Sequence, residues 1–478
     1  MAIKAWTRVG TRWLPFADAV SEELPLNRLL RLSLFQIAVG MVLVLTNGTL
    51  NRVMIVELGA ASSVVALMVA LPLLFAPFRV LIGHRSDHHR SALGWRRVPY
   101  IWIGTMLQFG GLAFMPFALL VMSGDGHGPA WIGTAAAALS FLMVGAGMHT
   151  TQTAGLALAT DLAPAHTRAR VVALLYVMLL VGMVGSSALF GWLLEDFSPT
   201  RLVQVIQGAA VLAIALNLAA LWKQEARIHR RVDGDASPQK RHSLKAAWQH
   251  FASQPGAVRL LVAVGLGTAA FSMQDILLEP YGGHILNMSV SQTTMLTGLL
   301  AAGTLAALAL SARVMDSAIQ PARLAAIGVL LGIIAFSAVV FSGALQLPWL
   351  FQAGTALIGF GAGLFAVGLL TEAMRHGDVS GSGVALGAWG AVQATAAGLA
   401  IGAGGLIRDT VQVLSDGGYL GTVMANSPQA SYGVVYHLEI LLLFVALIAI
   451  GPLVRSQNSR DLSPRHAPRG LELYDFPN

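Results

Sequence analysis

Twelve apolar runs, each about as long as a bilayer is thick, constrain this chain more than anything else in it. They fall at 29–50, 60–82, 98–122, 130–157, 170–194, 202–222, 257–280, 290–312, 323–343, 349–371, 382–407 and 434–454. A hydrocarbon core of about 30 Å is crossed by roughly 20 mostly apolar residues in a helix. Lipid offers the backbone no hydrogen-bonding partner, so each run is predicted to be helical. Composition agrees, because only 11% of residues are charged, against about 25% in soluble domains. An all-α integral membrane protein is expected. The sequence has no cysteine, which excludes disulfides and thiolate metal sites. Lys4, Arg8, Arg12, Arg28 and Arg31 precede the first run, the pattern of a retained first span rather than a cleaved signal peptide.

The net charge of +7 is a topology signal. With the N-terminus in the cytoplasm, Arg52, Arg201 and Arg408 are the three basic residues outside, and the other 27 of the 30 Lys and Arg lie inside or at that membrane edge. This asymmetry orients the chain with both termini cytoplasmic and leaves no role for nucleic acid. Trp6, Val9, Trp13 and Phe16 alternate with Lys4, Arg8 and Arg12 at helical spacing, so an amphipathic anchor over 1–28 is expected to lie on the inner leaflet. A basic stretch over 223–256 reads as a flexible, orientation-setting linker. It separates a bundle over 29–222 from one over 257–454, followed by a tail over 455–478. Arg408 to Gly433 is expected to be an external loop.

The halves echo each other. Gly83, Arg85, Asp87, Arg96 and Arg97 follow span 2, and Asp316 and Arg323 follow span 8. Asp161, Arg168 and Arg170 follow span 4, and Glu372 and Arg375 follow span 10. Two six-span repeats about an axis along the membrane normal are the signature of the major facilitator fold. The Gly83 to Arg97 group, with Asp161, Arg168, Asp316, Glu372 and Arg375, is predicted to form a cytoplasmic latch that breaks as the halves rock.

Ionisable groups inside a membrane are rare and mark function by default. Asn51, Arg52 and Glu57 lie near the outer end of span 1, and Gln274, Asp275 and Glu279 near that of span 7. If the helix runs through, Asp275 and Glu279 share a face. The two readings of Arg52 with Asp275 and Glu279 are a salt-bridge network closing the outer ends and a substrate or gate site. His149, Gln36, Gln274 and His284 are candidate axial ligands for a magnesium tetrapyrrole, each weighed against a polar group bonded across helices. Gly383 and Gly387, with Gly398 and Gly402, give span 11 a small-residue spacing suited to helix packing. No P-loop, His-Glu-x-x-His or Gly-x-Ser-x-Gly motif is present, so catalysis and a resident metal are not expected.

Several stretches resemble one family. Leu32-Ser33-Leu34-Phe35-Gln36-Ile37 leads span 1, which closes on Thr49-Leu50-Asn51-Arg52-Val53-Met54-Ile55-Val56-Glu57-Leu58. With Phe78 to Asp87, Arg96 to Tyr100, Gln274 to Gly283 and Leu14 to Asp18, these resemble the PucC/LhaA family, the bacteriochlorophyll delivery branch of the major facilitator superfamily. The resemblance implies a factor that assembles light-harvesting antennae, with bacteriochlorophyll as transient cargo. Antenna polypeptides, pigment-synthesis enzymes and the membrane insertion machinery are the implied partners. The rival expectation is a proton-coupled exporter of a small solute, with Asp275 or Glu279 carrying the proton. A third is a scaffold that binds antenna polypeptides without touching pigment.

Overall fold

The computed structural model describes residues 24–74, 86, 95–124, 129–164, 166–225, 248–249, 251–314, 320–380, 382–420 and 427–462. The N-terminal anchor, most of the linker, and Gly83, Arg85, Asp87 and Asp316 of the latch lie outside the described residues.

Helices account for every regular element described. They are α1 (Leu26–Leu32), α2 (Leu34–Leu43), π-helical turns over Val44–Leu50 and Val53–Glu57, α3 (Ser62–Leu74), α4 (Val98–Met122), α5 (Ala130–Leu162), α6 (Arg168–Leu193) and α7 (Pro199–Leu221). The second half runs α8 (Ala257–Ser272), a 3₁₀ turn over Met273–Ile276, α9 (Leu278–Leu286), α10 (Val290–Val314), α11 (Pro321–Leu345), α12 (Pro348–Ser380), α13 (Ser382–Asp416) and α14 (Pro428–Leu462). Among the described residues eleven segments are long and apolar enough to cross a membrane, and the described part of the second run is the shorter apolar helix Ser62–Leu73. Phe114, Phe117, Trp131, Leu399 and Ile448 stand exposed on the outside, where lipid rather than water is their solvent.

Within the first half α4 packs along α5, and α2 against α6 and α7. Within the second, α12 packs on α10 and α11, and α14 on α8 and α11. The halves join through α3 on α13 and α6 on α10. The hydrogen bonds found between halves sit at the end of the helices away from the basic loops, called the far end below. Thr49 and Thr294 hydroxyls are 3.1 Å apart, Asn51 Nδ2 donates to the Ile276 carbonyl at 3.1 Å, and Ser187 Oγ donates to the Thr294 carbonyl. The far end is therefore closed.

One expectation is corrected here and another in part, since Gly398 of the small-residue spacing in span 11 is buried. Residues Arg408 to Asp416 continue α13 as helix, so the predicted loop is shorter. A side chain at Gly387 or Gly402 would meet open space, whereas one at Gly404 would strike Met273 and one at Gly405 would strike Ser62 and Ala66. The close approach of α13 thus uses Gly404 and Gly405, four residues or fewer from the start of the polar turn at Arg408.

Candidate functional site at the far end of spans 1, 7 and 12

Span 1 loses regular α-helix where its polar residues begin. Thr46 Oγ1 donates back to the Val42 carbonyl at 2.9 Å, a local bond that competes with the helical ladder and bends it. The π-helical turns that follow are the local form in which an extra residue is fitted into a helix, often at functional sites. Gly48 sits where Thr297 of α10 presses closest, and a β-carbon there would overlap the threonine side chain.

Span 7 also breaks. The α-helix ends at Ser272, the chain passes through the 3₁₀ turn, and α9 restarts at Leu278. Asp275 and Glu279 therefore do not lie one above the other on a continuous α-helix, although four residues separate them. Pro280 explains part of this: it has no N–H to give the carbonyl of Ile276, and Asn51 donates to that carbonyl instead.

The polar groups form two layers. In the outer one Arg52 pairs with Glu57 and donates through Nη2 to the Met288 carbonyl at 3.3 Å. Arg408 pairs with Asp409 at 3.0 Å and lies 4.9 Å from the centre of the Tyr432 ring, close enough for a cation–π contact. Asp409 accepts the Ser62 and Ser63 N–H groups at 3.2 and 2.7 Å. A carboxylate of α13 thus caps the positive N-terminus of α3 across the two halves. His284 Nδ1 stands 2.9 Å from the Tyr432 hydroxyl. It faces a cavity of about 480 Å³ shared with Ile55, Ser63, Arg408 and Gln412.

Beneath this layer lie three carboxyls. Asp275 accepts Gln274 Nε2 at 2.5 Å, and Glu279 accepts the Thr297 hydroxyl at 2.7 Å. Glu439 of α14 is fully buried, its carboxyl lying against the Gln274 backbone N–H. Among the described residues none of the three is in an ion pair; Arg52 and Arg408 are engaged by Glu57 and Asp409. Of the two readings of Arg52, the network with Asp275 and Glu279 is thus replaced by a local pair, because Glu57 is five residues along the same distorted helix and within reach. Tyr281 packs edge to face on Tyr432 and Tyr436, with centroids 5.5 and 5.3 Å away.

Sequence reasoning missed Glu439, Asp409 and the three tyrosines. Glu439 was legible in principle, as a lone acid eleven residues after Pro428 in an apolar run.

The remaining candidates are dispersed. Gln36 is buried and accepts Gln152 Nε2 at 3.5 Å. His149 lines a cavity of about 50 Å³ with Thr46, Asn47, Pro72 and Phe141. That is room for a few waters at about 10–15 Å³ each, far less than a tetrapyrrole needs. At the basic end, Arg97 binds Asp161 at 3.1 Å and donates to Ser86, joining span 3 to span 4 inside the first half. Arg168 Nε donates to the Ala163 carbonyl at 3.3 Å, Glu372 is buried and Arg375 exposed.

Comparison with known proteins places this geometry in a lineage. The profile of the PUCC protein family matches residues 49–458. The chain belongs to the PucC family. It is 55% identical over 420 residues to Protein PucC of Rhodovulum sulfidophilum, covering 86% of this chain and 92% of that one. Identity is 52% over 466 residues to an uncharacterized protein in the puhA-bchM intergenic region of Rhodobacter capsulatus, covering 97% of each. Among solved structures, a bacterial homologue of the human lysosomal transporter Spinster, inward-facing and unoccupied, superposes with a TM-score of 0.65 at 15% identity. That match covers 92% of this chain and 98% of the other. The fold is of the major facilitator type, as the paired repeats indicate, and this PucC-family chain is a multi-pass membrane protein.

Proposed function

We propose that this chain assembles bacterial light-harvesting antenna complexes, handing bacteriochlorophyll to antenna polypeptides as they insert and oligomerise. Membership in the PucC family across residues 49–458 carries the reading. Bacteriochlorophyll is then transient cargo rather than a resident cofactor. Antenna polypeptides, pigment-synthesis enzymes and the insertion machinery are its partners, and the chain is not an enzyme. The host membrane is the inner membrane, with the basic end and both termini in the cytoplasm. The open space beside Gly387, Gly390 and Gly402 supports the reading, because it leaves this stretch of α13 accessible to a flat apolar molecule. The test is the near-infrared spectrum of membranes from a strain lacking this gene, with total bacteriochlorophyll quantified. Loss of one antenna band while pigment and antenna transcripts persist is the expected result. Unchanged bands in a strain with no family paralogue refute the proposal.

A second reading, a proton-coupled exporter, is favoured by the carboxyl layer of Asp275, Glu279 and Glu439. Carboxyls without cations, buried at a helix crossing, are the usual substrate of proton exchange in membranes. It requires pH-driven solute flux in proteoliposomes that Glu439→Gln abolishes; no flux across a broad solute panel removes it.

A further inference from the structure

The 3₁₀ turn over Met273–Ile276 gathers oxygen atoms from spans 1, 7 and 12. Asn51 of span 1 donates its Nδ2 to the Ile276 carbonyl at 3.1 Å. Gln274 donates its Nε2 to the Phe271 carbonyl at 3.3 Å and to Asp275 Oδ1 at 2.5 Å. Because their nitrogens are used in this way, the orientation of both amides is fixed and their oxygens are left as acceptors. The Glu439 carboxyl, from α14, lies against the Gln274 N–H and within electrostatic range of Asp275. Glu279 is in range of Asp275 too, and Tyr436 of Glu439 and Glu279.

Asn51 Oδ1, Gln274 Oε1 and Glu279 Oε2 are buried with no hydrogen-bond partner, on residues 0%, 1% and 4% exposed. A buried acceptor left this way is costly, and it calls for a proton donor, a water or an ion. The surroundings favour positive charge. The α8 helix ends at Ser272 with the negative end of its dipole at the turn. The three carboxyls have no cation paired to them, since Arg52 and Arg408 are held by Glu57 and Asp409 in the outer layer. A helix broken in mid-span, with a half-helix C-terminus and unwound carbonyls at the gap, is how membrane transporters build sites for sodium. Spacing decides the valence. A divalent ion gathers several carboxylates into one shell, and among the described residues no three acidic or histidine side chains are placed to hold a metal between them. A monovalent ion is neutralised by one carboxylate and completes its shell with amide and carbonyl oxygens. Asp275 alone of the three acids is only half-buried, which gives an ion a way in.

We propose that this turn binds a sodium ion, held by the Asp275 carboxylate with Asn51 Oδ1 and Gln274 Oε1, and approached by Glu439 from α14. Asn51 belongs to the first half and the other ligands to the second, so the ion holds the far end closed. The site needs no cargo and stands or falls apart from the assembly reading.

The test is thermal unfolding of the full-length protein in detergent at about pH 8, where few protons compete, with sodium chloride replacing choline chloride at constant ionic strength. Sodium is expected to raise the midpoint by about 2–5 °C and to saturate, and potassium to do less. Asp275→Asn and Glu439→Gln should each abolish most of the rise, while Glu195→Gln, at an exposed acid, keeps it. Binding of radioactive sodium in a scintillation proximity assay is the second readout, needed where a variant unfolds too early to melt cleanly. It should weaken at least about tenfold in Asp275→Asn. Equal midpoints in sodium and choline with no sodium bound mean that protons or water serve these oxygens, and overturn the proposal. So does a sodium response that survives both substitutions.

Discussion

Glu439 is the residue whose chemistry is least settled by its surroundings. A buried carboxyl with no cation paired to it is costly, and replacing it by a neutral isostere relieves that cost. Glu439→Gln is therefore expected to leave stability unchanged or raise it by about 1–3 kcal/mol, read as the thermal midpoint in detergent. A clear fall would reveal a partner for the acid. His284 offers a pH test in the outer layer. Burial, reinforced by Arg408 and Arg52 and opposed by Glu57, holds its imidazole below the ordinary value of 6.5. The unfolded chain then takes up this proton at higher pH than the folded one, so stability declines as pH falls below about 6.5. Wild type minus His284→Gln isolates the effect, and a difference flat with pH rejects it. The sequence made Arg52, Asp275 and Glu279 conspicuous because each is a charge in an apolar run. It could not say that Arg52 would turn to Glu57, since that depends on a π-helical turn no periodicity announces.

At the scale of elements, the breaks in spans 1 and 7 and the glycines at crossings set the geometry. Gly48 is pressed by Thr297, so Gly48→Ala should overpack the joint between span 1 and α10 and cost about 1–3 kcal/mol. Gly387 faces open space within α13, and Gly387→Ala should gain up to about 1 kcal/mol from helix propensity. Thermal midpoints of the two variants check the contrast; equal behaviour would contradict the packing. The positions of the twelve spans were plain in the apolar runs, because burial in lipid demands length and little else. Which glycines touch a neighbour was not, since Gly387, Gly402, Gly404 and Gly405 occupy one helix and differ only in the face they present. Pro280 hinted at the break in span 7, but the 3₁₀ turn before it also needs Asn51, from the other half, to take the Ile276 carbonyl.

For the whole molecule the far-end closure decides what kind of machine this is. Asp409 bridges α13 to the first two N–H groups of α3, a capping interaction whose removal costs about 0.5–2 kcal/mol. Because it acts only while the halves touch there, Asp409→Ala should favour opening. The chain contains no cysteine, so a background-free reporter can be built at Thr49 and Thr294. Their hydroxyls are 3.1 Å apart, and sulfurs in those places need a shift of about 1 Å to reach bonding distance. The double variant Thr49→Cys/Thr294→Cys should oxidise readily, and more slowly when Asp409→Ala is added. Equal rates would show that Asp409 does not hold the gate. The same bridge separates the functional readings. A protein locked shut at the far end cannot alternate, so an exporter would lose all flux until a reductant restores it. An assembly factor that presents antenna polypeptides on its lipid-facing surface would keep antenna levels near normal while locked. One that passes cargo through the far end would fail in the oxidised form and recover on reduction.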